Sequence, residues 1–249
     1  MKRDLLFTTA VAVMTVLQSC NMSADVNLNT SPSTKHYNIC LIIDGTDRFS
    51  NQNDIPYVSV DDMKTLAKNL CDNGKGTIYV SYVDKDCDNN KVAIFDWRDT
   101  KPADIAPKLS YQKGIAYQKE KEERQAEQRA FEDKKDGVIG RFAQDGSAVE
   151  TAAYANSVAK QRNGSDVNGA INKAIRLLRA SEQTNSRSYI ILVSDGCDNV
   201  GKQLQKLPDN TELFIVNANV SKHHYGDLVS KEFVTLKQVQ QYIFTSTNF

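Results

Sequence analysis

Residues 37–49 read YNICLIIDGTDRF, an apolar run that stops on an acid, a glycine and a hydroxyl. Apolar side chains at consecutive rather than alternate positions describe a strand covered on both faces, as in a parallel sheet packed between helices. The polar end of such a strand delivers Asp44 and Thr46 to the carboxyl edge of the sheet, where ligands of open α/β folds collect. A second stretch, SYIILVSDG at 188–196, has the same form and ends on Asp195 followed by glycine.

Strands and helices alternate outward from these two runs. In VDDMKTLAKNLCDNG (60–74), Met63, Leu66, Ala67 and Leu70 make one helical stripe, and Gly74 stands where a helix stops. GTIYVSYVD (76–84) and KVAIFDW (91–97) read as the second and third strands, joined by an acidic turn. SDVNGAINKAIRLLRA (165–180) is amphipathic, with Ser165 as its expected N-cap. TELFIVNA (211–218) and EFVTL (232–236) read as two further strands, and LKQVQQYIF (236–244) as a closing helix. The order predicts an α/β domain: a Rossmann-like open, mainly parallel sheet with helices on both faces. It is interrupted by a polar helical insertion at about 108–162. Within that insertion the twelve residues Gln118–Arg129 contain one apolar side chain, Ala126. A helix polar on all sides projects into solvent or offers itself to a partner. AVETAAYANSVAKQR (148–162) returns to a separate half-apolar helix.

The 249-residue chain has 31 basic and 31 acidic residues. That balance offers no long-range attraction to nucleic acid, which is excluded as a partner. Residues 1–19 read as a targeting segment: Lys2 and Arg3, then LLFTTAVAVMTVL, too short for an ordinary spanning helix. Leu17, Ser19 and Cys20 then resemble the lipobox of bacterial lipoproteins, although Gln18 is an unusual choice at its position. That resemblance implies acylation of Cys20 and an extracytoplasmic location in the bacterial cell envelope, with the membrane engaged through the lipid anchor. Residues 20–36 read as a flexible tether, at most about 50 Å when extended, and residues 37–249 as the folded domain. Cys40, Cys71, Cys87 and Cys197 remain, with at most one disulfide expected among them. Cys40, in mid-strand, reads as a buried small hydrophobe.

Several strand-end chemistries are excluded by single residues. A phosphotransferase of the DxDGT type needs a nucleophilic aspartate two residues before Asp44, where Ile42 stands. No GxGxxG or GxxxxGK[ST] follows the first strand. There is no CxxC, and His223 and His224 are adjacent, so no zinc spacing is present. DKDCDNNKVAIF (84–95) begins like a calcium loop but has Asn89 at its sixth position and Phe95 at its twelfth.

The set that fits is the von Willebrand factor A domain. LIIDGTDR resembles its DxSxS segment through Asp44 and Thr46. NGSDVNGAI resembles its GGTxxxxAI segment, with Ser165 for threonine. ILVSDGCDN resembles its strand ending in TDG or SDG, with Asp195 as the acid. The resemblance covers about residues 37 to 244 and implies a metal-ion-dependent adhesion site formed by Asp44, Thr46, Ser165 and Asp195. Magnesium in such a site takes hydroxyl, water and carboxylate oxygens in octahedral geometry and keeps one position for an acidic group of a partner. Asp47, Arg48 and Asp198, on the same loops, are candidates for touching that partner, expected to be another cell-envelope protein. Arg48 replaces the second hydroxyl of DxSxS. Either it turns outward and leaves a weakened magnesium site, or its guanidinium sits among the acids in place of the ion. The implied role is binding, not catalysis. The competing readings are a phosphate-ester hydrolase and a structural lipoprotein with a degenerate site.

Overall fold

A computed structural model describes residues 35–45, 55–102, 114–158, 165–181, 186–198, 200–216 and 225–245. The first strand, β1 (His36–Ile43), is buried from Tyr37 onward. Helix α1 (Val60–Asn73) follows, then β2 (Lys75–Tyr82), β3 (Ala93–Trp97), α2 (Ile115–Val158), α3 (Val167–Ala180), β4 (Ser186–Val193), β5 (Thr211–Val216), β6 (Val229–Phe233) and α4 (Leu236–Thr245). The six strands form one sheet in the order β3-β2-β1-β4-β5-β6. All neighbours run parallel except β3, which pairs antiparallel with β2. The chain thus builds outward from β1 on one side, returns, and builds outward from β4 on the other. The reversal falls between β1 and β4, the two strands that carry the strand-end acids, and such a reversal opens a crevice at the strands' carboxyl ends.

Side-chain alternation divides the core. Tyr37, Ile39, Leu41 and Ile43 face α1, α2 and α4, packing with Met63, Leu66, Phe142, Val149 and Val239. Cys40 and Ile42 face the other way, onto Val167, Ile171 and Ile175 of α3. Helices therefore cover both faces, as the consecutive apolar positions of β1 require. Helix α1 begins with a capping box, Ser59 and Asp62 each bonding the other's backbone, and stops at Gly74. Its stripe of Met63, Leu66, Ala67 and Leu70 is fully buried. Each of the larger three side chains contributes about 2 kcal/mol of transfer free energy.

Three features depart from the sequence expectation. The stretch read as a polar insertion followed by a second helix is one helix of 44 residues, about 66 Å long. From Gln118 to Ala130 its side chains are exposed or half-buried. From Phe131 onward it belongs to the core: Phe131 meets Trp97 and Phe142 meets Phe95, each with ring centroids 5.4 Å apart. The projecting part therefore ends near residue 130. At Gly146 the bare backbone of the helix faces Met63 of α1, whose sulfur would lie 2.8 Å from an added Cβ. The second departure concerns α3, which is capped by Asp166 rather than Ser165: the Asp166 carboxylate accepts from the Gly169 amide. Third, β6 begins three residues before the EFVTL stretch and ends at Phe233.

Cys40, Cys71 and Cys87 are buried thiols, and no disulfide joins the cysteines among the described residues. Among the described residues no helix is long and apolar enough to cross a membrane.

Candidate site at the ends of β1 and β4

Asp44 follows β1 directly. Its amide donates to the Val193 carbonyl (2.9 Å), so the two strands remain zipped beyond the last residue of β1. The register pairs Ile43 with Val193, which brings Ser194 opposite Asp44 on the α3 side of the sheet. The Ser194 hydroxyl donates to Asp44 Oδ2 at 2.6 Å. Both residues are buried, Ser194 at 0 % and Asp44 at 2 % exposure. Asp195 comes next, and its Oδ1 accepts from the Cys197 amide at 2.9 Å. Gly196 follows at φ 74°, a left-handed turn that glycine adopts without a Cβ penalty. On the other flank, Gly45 lies against the end of α2. A Cβ there would stand 1.9 Å from the Ala153 carbonyl oxygen, so no larger residue fits.

The N-terminus of α3 closes the third side. The Asp166 amide donates to the Asp84 carbonyl just past β2 (3.0 Å), and the Val83 amide to the Ile43 carbonyl (2.9 Å). Ser165, 6 % exposed, therefore lies at the same end of the sheet as Asp44. Asp166 itself is wholly buried. Its Oδ2 lies 2.6 Å from Lys202 Nζ, an ion pair that accompanies the cap.

Tyr225, on the approach to β6, is buried at the same edge. Its phenol donates to Asn168 Oδ1 at 3.0 Å. Burial pushes its pKa well above the usual tyrosine value, and the charges of Asp198, Asp44 and Asp195 push it further. The phenol thus ties the segment before β6 to the first turn of α3.

Of the residues expected from the sequence, Asp44, Ser165 and Asp195 lie at this edge. Asp198 is close by, but both of its oxygens hold the chain: Oδ1 accepts from the Asn168 amide (3.0 Å) and Oδ2 from the Gly201 amide (2.8 Å). Thr46, Asp47, Arg48 and Cys20 lie outside the described residues. Among the described residues, no three His, Cys, Asp or Glu side chains form a metal-ligand cluster. The oxygen-bearing side chains at this end of the sheet are the carboxylates of Asp44 and Asp195 and the hydroxyls of Ser165 and Ser194, hard oxygens of the type magnesium takes. The sequence matches no known family model, and no curated protein matches it.

The acidic connection after β2 is a structural loop. Asp86 caps a short turn at Cys87–Asn89, and Asp88 pairs with Arg176. Lys173 donates to the Cys87 and Asn90 carbonyls at 3.0 and 2.6 Å. The Cys87 thiol, pushed up to about 12 mainly by burial, donates to the Asp84 and Asp166 carbonyls. Sequence reading did not single out Ser194, Asn168, Tyr225, Asp166 or Lys202. The one available signal was for Ser194, the hydroxyl that precedes Asp195 in the second strand-end motif.

Proposed function

We propose that this chain is a lipid-anchored protein of the bacterial cell envelope whose von Willebrand factor A-like domain binds a partner protein through the edge formed by β1, β4 and α3. The observation that carries this reading is the joining of Asp44 to the β4 terminus through Ser194, with Asp195 next in the chain, at the reversal of strand order. The ordered trio of segments supports it, because a sheet edge of this kind is where the family resemblance assigns a cation and an incoming acidic group. Asp44, Thr46, Ser165 and Asp195 would hold magnesium directly or through water. When bound, the ion supplies an electron-poor position for a carboxylate of the partner. The residues of the chain do the rest: Asp44 and Asp195 compensate the charge and buried hydroxyls orient oxygen ligands, while Asp47 and Arg48, which follow Asp44 in the sequence, are the residues proposed to meet the partner. The Leu17–Cys20 segment supports an acyl anchor at Cys20, since several acyl chains hold a protein stably at a membrane.

Thermal melting with magnesium, manganese or chelator tests the cation. An ion at about 100 times its dissociation constant stabilises the native state by about 2.7 kcal/mol. In a domain of this size that is a rise of about 5–10 °C. Identical melting in all three conditions refutes metal binding, and turnover of phosphate esters abolished by Asp44→Ala replaces the binding role with an enzymatic one. Cys20→Ala should release the protein from membranes, and retention there refutes the anchor.

A further inference from the structure

The two outer strands of the sheet meet solvent differently. On one side stands β6, where Ser230, Lys231 and Glu232 are exposed and the pairing with β5 is interrupted between Leu213 and Phe214. Charged side chains, lysine above all, and irregular pairing are devices that keep an edge strand from joining another sheet. Leu228 and Val234, both exposed, flank β6 and are not part of it. On the other side stands β3, and among the described residues no strand lies against its outer edge. Its pairing with β2 is regular from Gly76–Trp97 to Val80–Ala93. Ile94, near its middle, is 53 % exposed. The one charge in the strand, Asp96, is neutralised by Arg98 at 2.8 Å. Helix α3 stops at Ala180, short of this side of β3. It leaves a recess of about 300 Å³ lined by Thr77, Tyr79, Ile94, Asp96, Arg98 and Ser181.

We propose that the outer edge of β3 pairs antiparallel with the β3 edge of a second copy of this chain, joining two sheets across a two-fold axis at Phe95. Two identical strands run antiparallel are self-complementary, as a two-fold interface requires. The register centred on Phe95 is the one that pairs all five residues of Ala93–Trp97. In it Ile94 stands opposite Asp96 of the other copy and diagonal to the other copy's Ile94, so the two exposed isoleucines meet at the axis within reach of each other. Phe95 and Trp97 stay beneath α2, where they are already buried. Charge selects a second copy as the occupant. Two residues beyond each end of β3, exposed Lys91 stands opposite Asp99 of the other copy, and the symmetry makes this pair twice. Moving the axis to residue 96 would set Asp96 against Asp96 and lose the match. Five residues a side bury less than the roughly 1,200–2,000 Å² of a standard interface, so the association is weak and rises with concentration.

Sedimentation velocity on the full chain, from micromolar to near-millimolar concentration, tests the pairing. Wild type should pass from monomer to dimer, and hydrogen exchange at the β3 amides not bonded to β2 should slow over the same range. Ile94→Lys puts a charge where the isoleucines meet and should weaken the dimer by at least about tenfold; an unchanged melting temperature shows that its fold is intact. Lys91→Glu should weaken the dimer by about tenfold, as two exposed ion pairs turned repulsive allow, and Lys91→Glu/Asp99→Lys should restore it. A chain that stays monomeric throughout overturns the proposal. A dimer indifferent to Ile94→Lys overturns the β3 edge as its interface, and one indifferent to Lys91→Glu overturns the register. Protection at β3 that does not vary with concentration in a monomeric chain assigns that edge to the chain itself and overturns the second copy.

Discussion

Breaking the Asp166–Lys202 ion pair from either side should cost unequal amounts, and the inequality follows from burial. Asp166 is 0 % exposed, while the Lys202 side chain is 39 % exposed. Asp166 also caps α3 through Oδ1, which accepts from the Gly169 amide at 2.8 Å. Asp166→Asn preserves a good N-cap and leaves Lys202 free to swing into water, so its cost should be about 1 kcal/mol or less. Lys202→Met leaves a carboxylate that cannot reach water and keeps the Gly169 amide as its remaining partner. Removing one partner of a buried pair costs about 3–5 kcal/mol, and the partial exposure of the lysine puts this case at the low end, about 3 kcal/mol. Urea unfolding monitored by circular dichroism should resolve this gap of about 2 kcal/mol, equivalent to a further loss of about 4–8 °C in melting temperature. The double variant Asp166→Asn/Lys202→Met should be more stable than Lys202→Met alone, because it removes the stranded charge. Equal single-variant costs, or a double variant no better than Lys202→Met, would refute the burial argument.

Glycines in helices should respond according to what surrounds them. An added Cβ meets nothing within 4 Å at Gly137 or Gly140, but lies 2.0 Å from Asp166 Oδ2 at Gly169. Gly137→Ala and Gly140→Ala should each stabilise by about 0.5–1 kcal/mol, and Gly169→Ala should destabilise, all measured by denaturant midpoint; a destabilised Gly137→Ala would contradict the open surroundings. His36 should make the domain acid-sensitive. Burial, then Arg98 and Lys75, lower its pKa below the usual 6.5, and its Nδ1 has no hydrogen-bond partner among the described residues. The unfolded chain therefore binds the proton more readily, so stability is full above about pH 6.5 and declines as pH falls toward the lower folded value. Melting curves between pH 8 and 5 should fall less steeply for His36→Gln than for wild type, and parallel curves would count against this role.

Much of the architecture was legible because burial leaves a periodic trace. The consecutive apolar positions of β1 and β4 marked strands enclosed on both faces, and the Met63–Leu66–Leu70 stripe marked α1. Helix α2 was only half legible. Gly137, Gly140 and Gly146 lower local helix propensity, and nothing in the sequence shows that Gly146 faces Met63 or that Phe131 and Phe142 find Trp97 and Phe95. Packing overrides the local preference and carries one helix through all three glycines. The cap of α3 was displaced by one residue for a similar reason: serine and aspartate are both good caps, and the choice fell to the residue that Lys202 also reaches.

By itself the sequence determined the strand and helix order, the two acids at strand ends and the polar character of the projecting helix, since each depends on neighbours within one segment. Tertiary structure decided which strands lie side by side, and from that the partners of Asp44. Parallel register between β1 and β4 set the hydroxyl of a residue 150 positions away against its carboxylate. Hydrogen bonds across a sheet edge follow from strand order and register, which local sequence patterns do not encode.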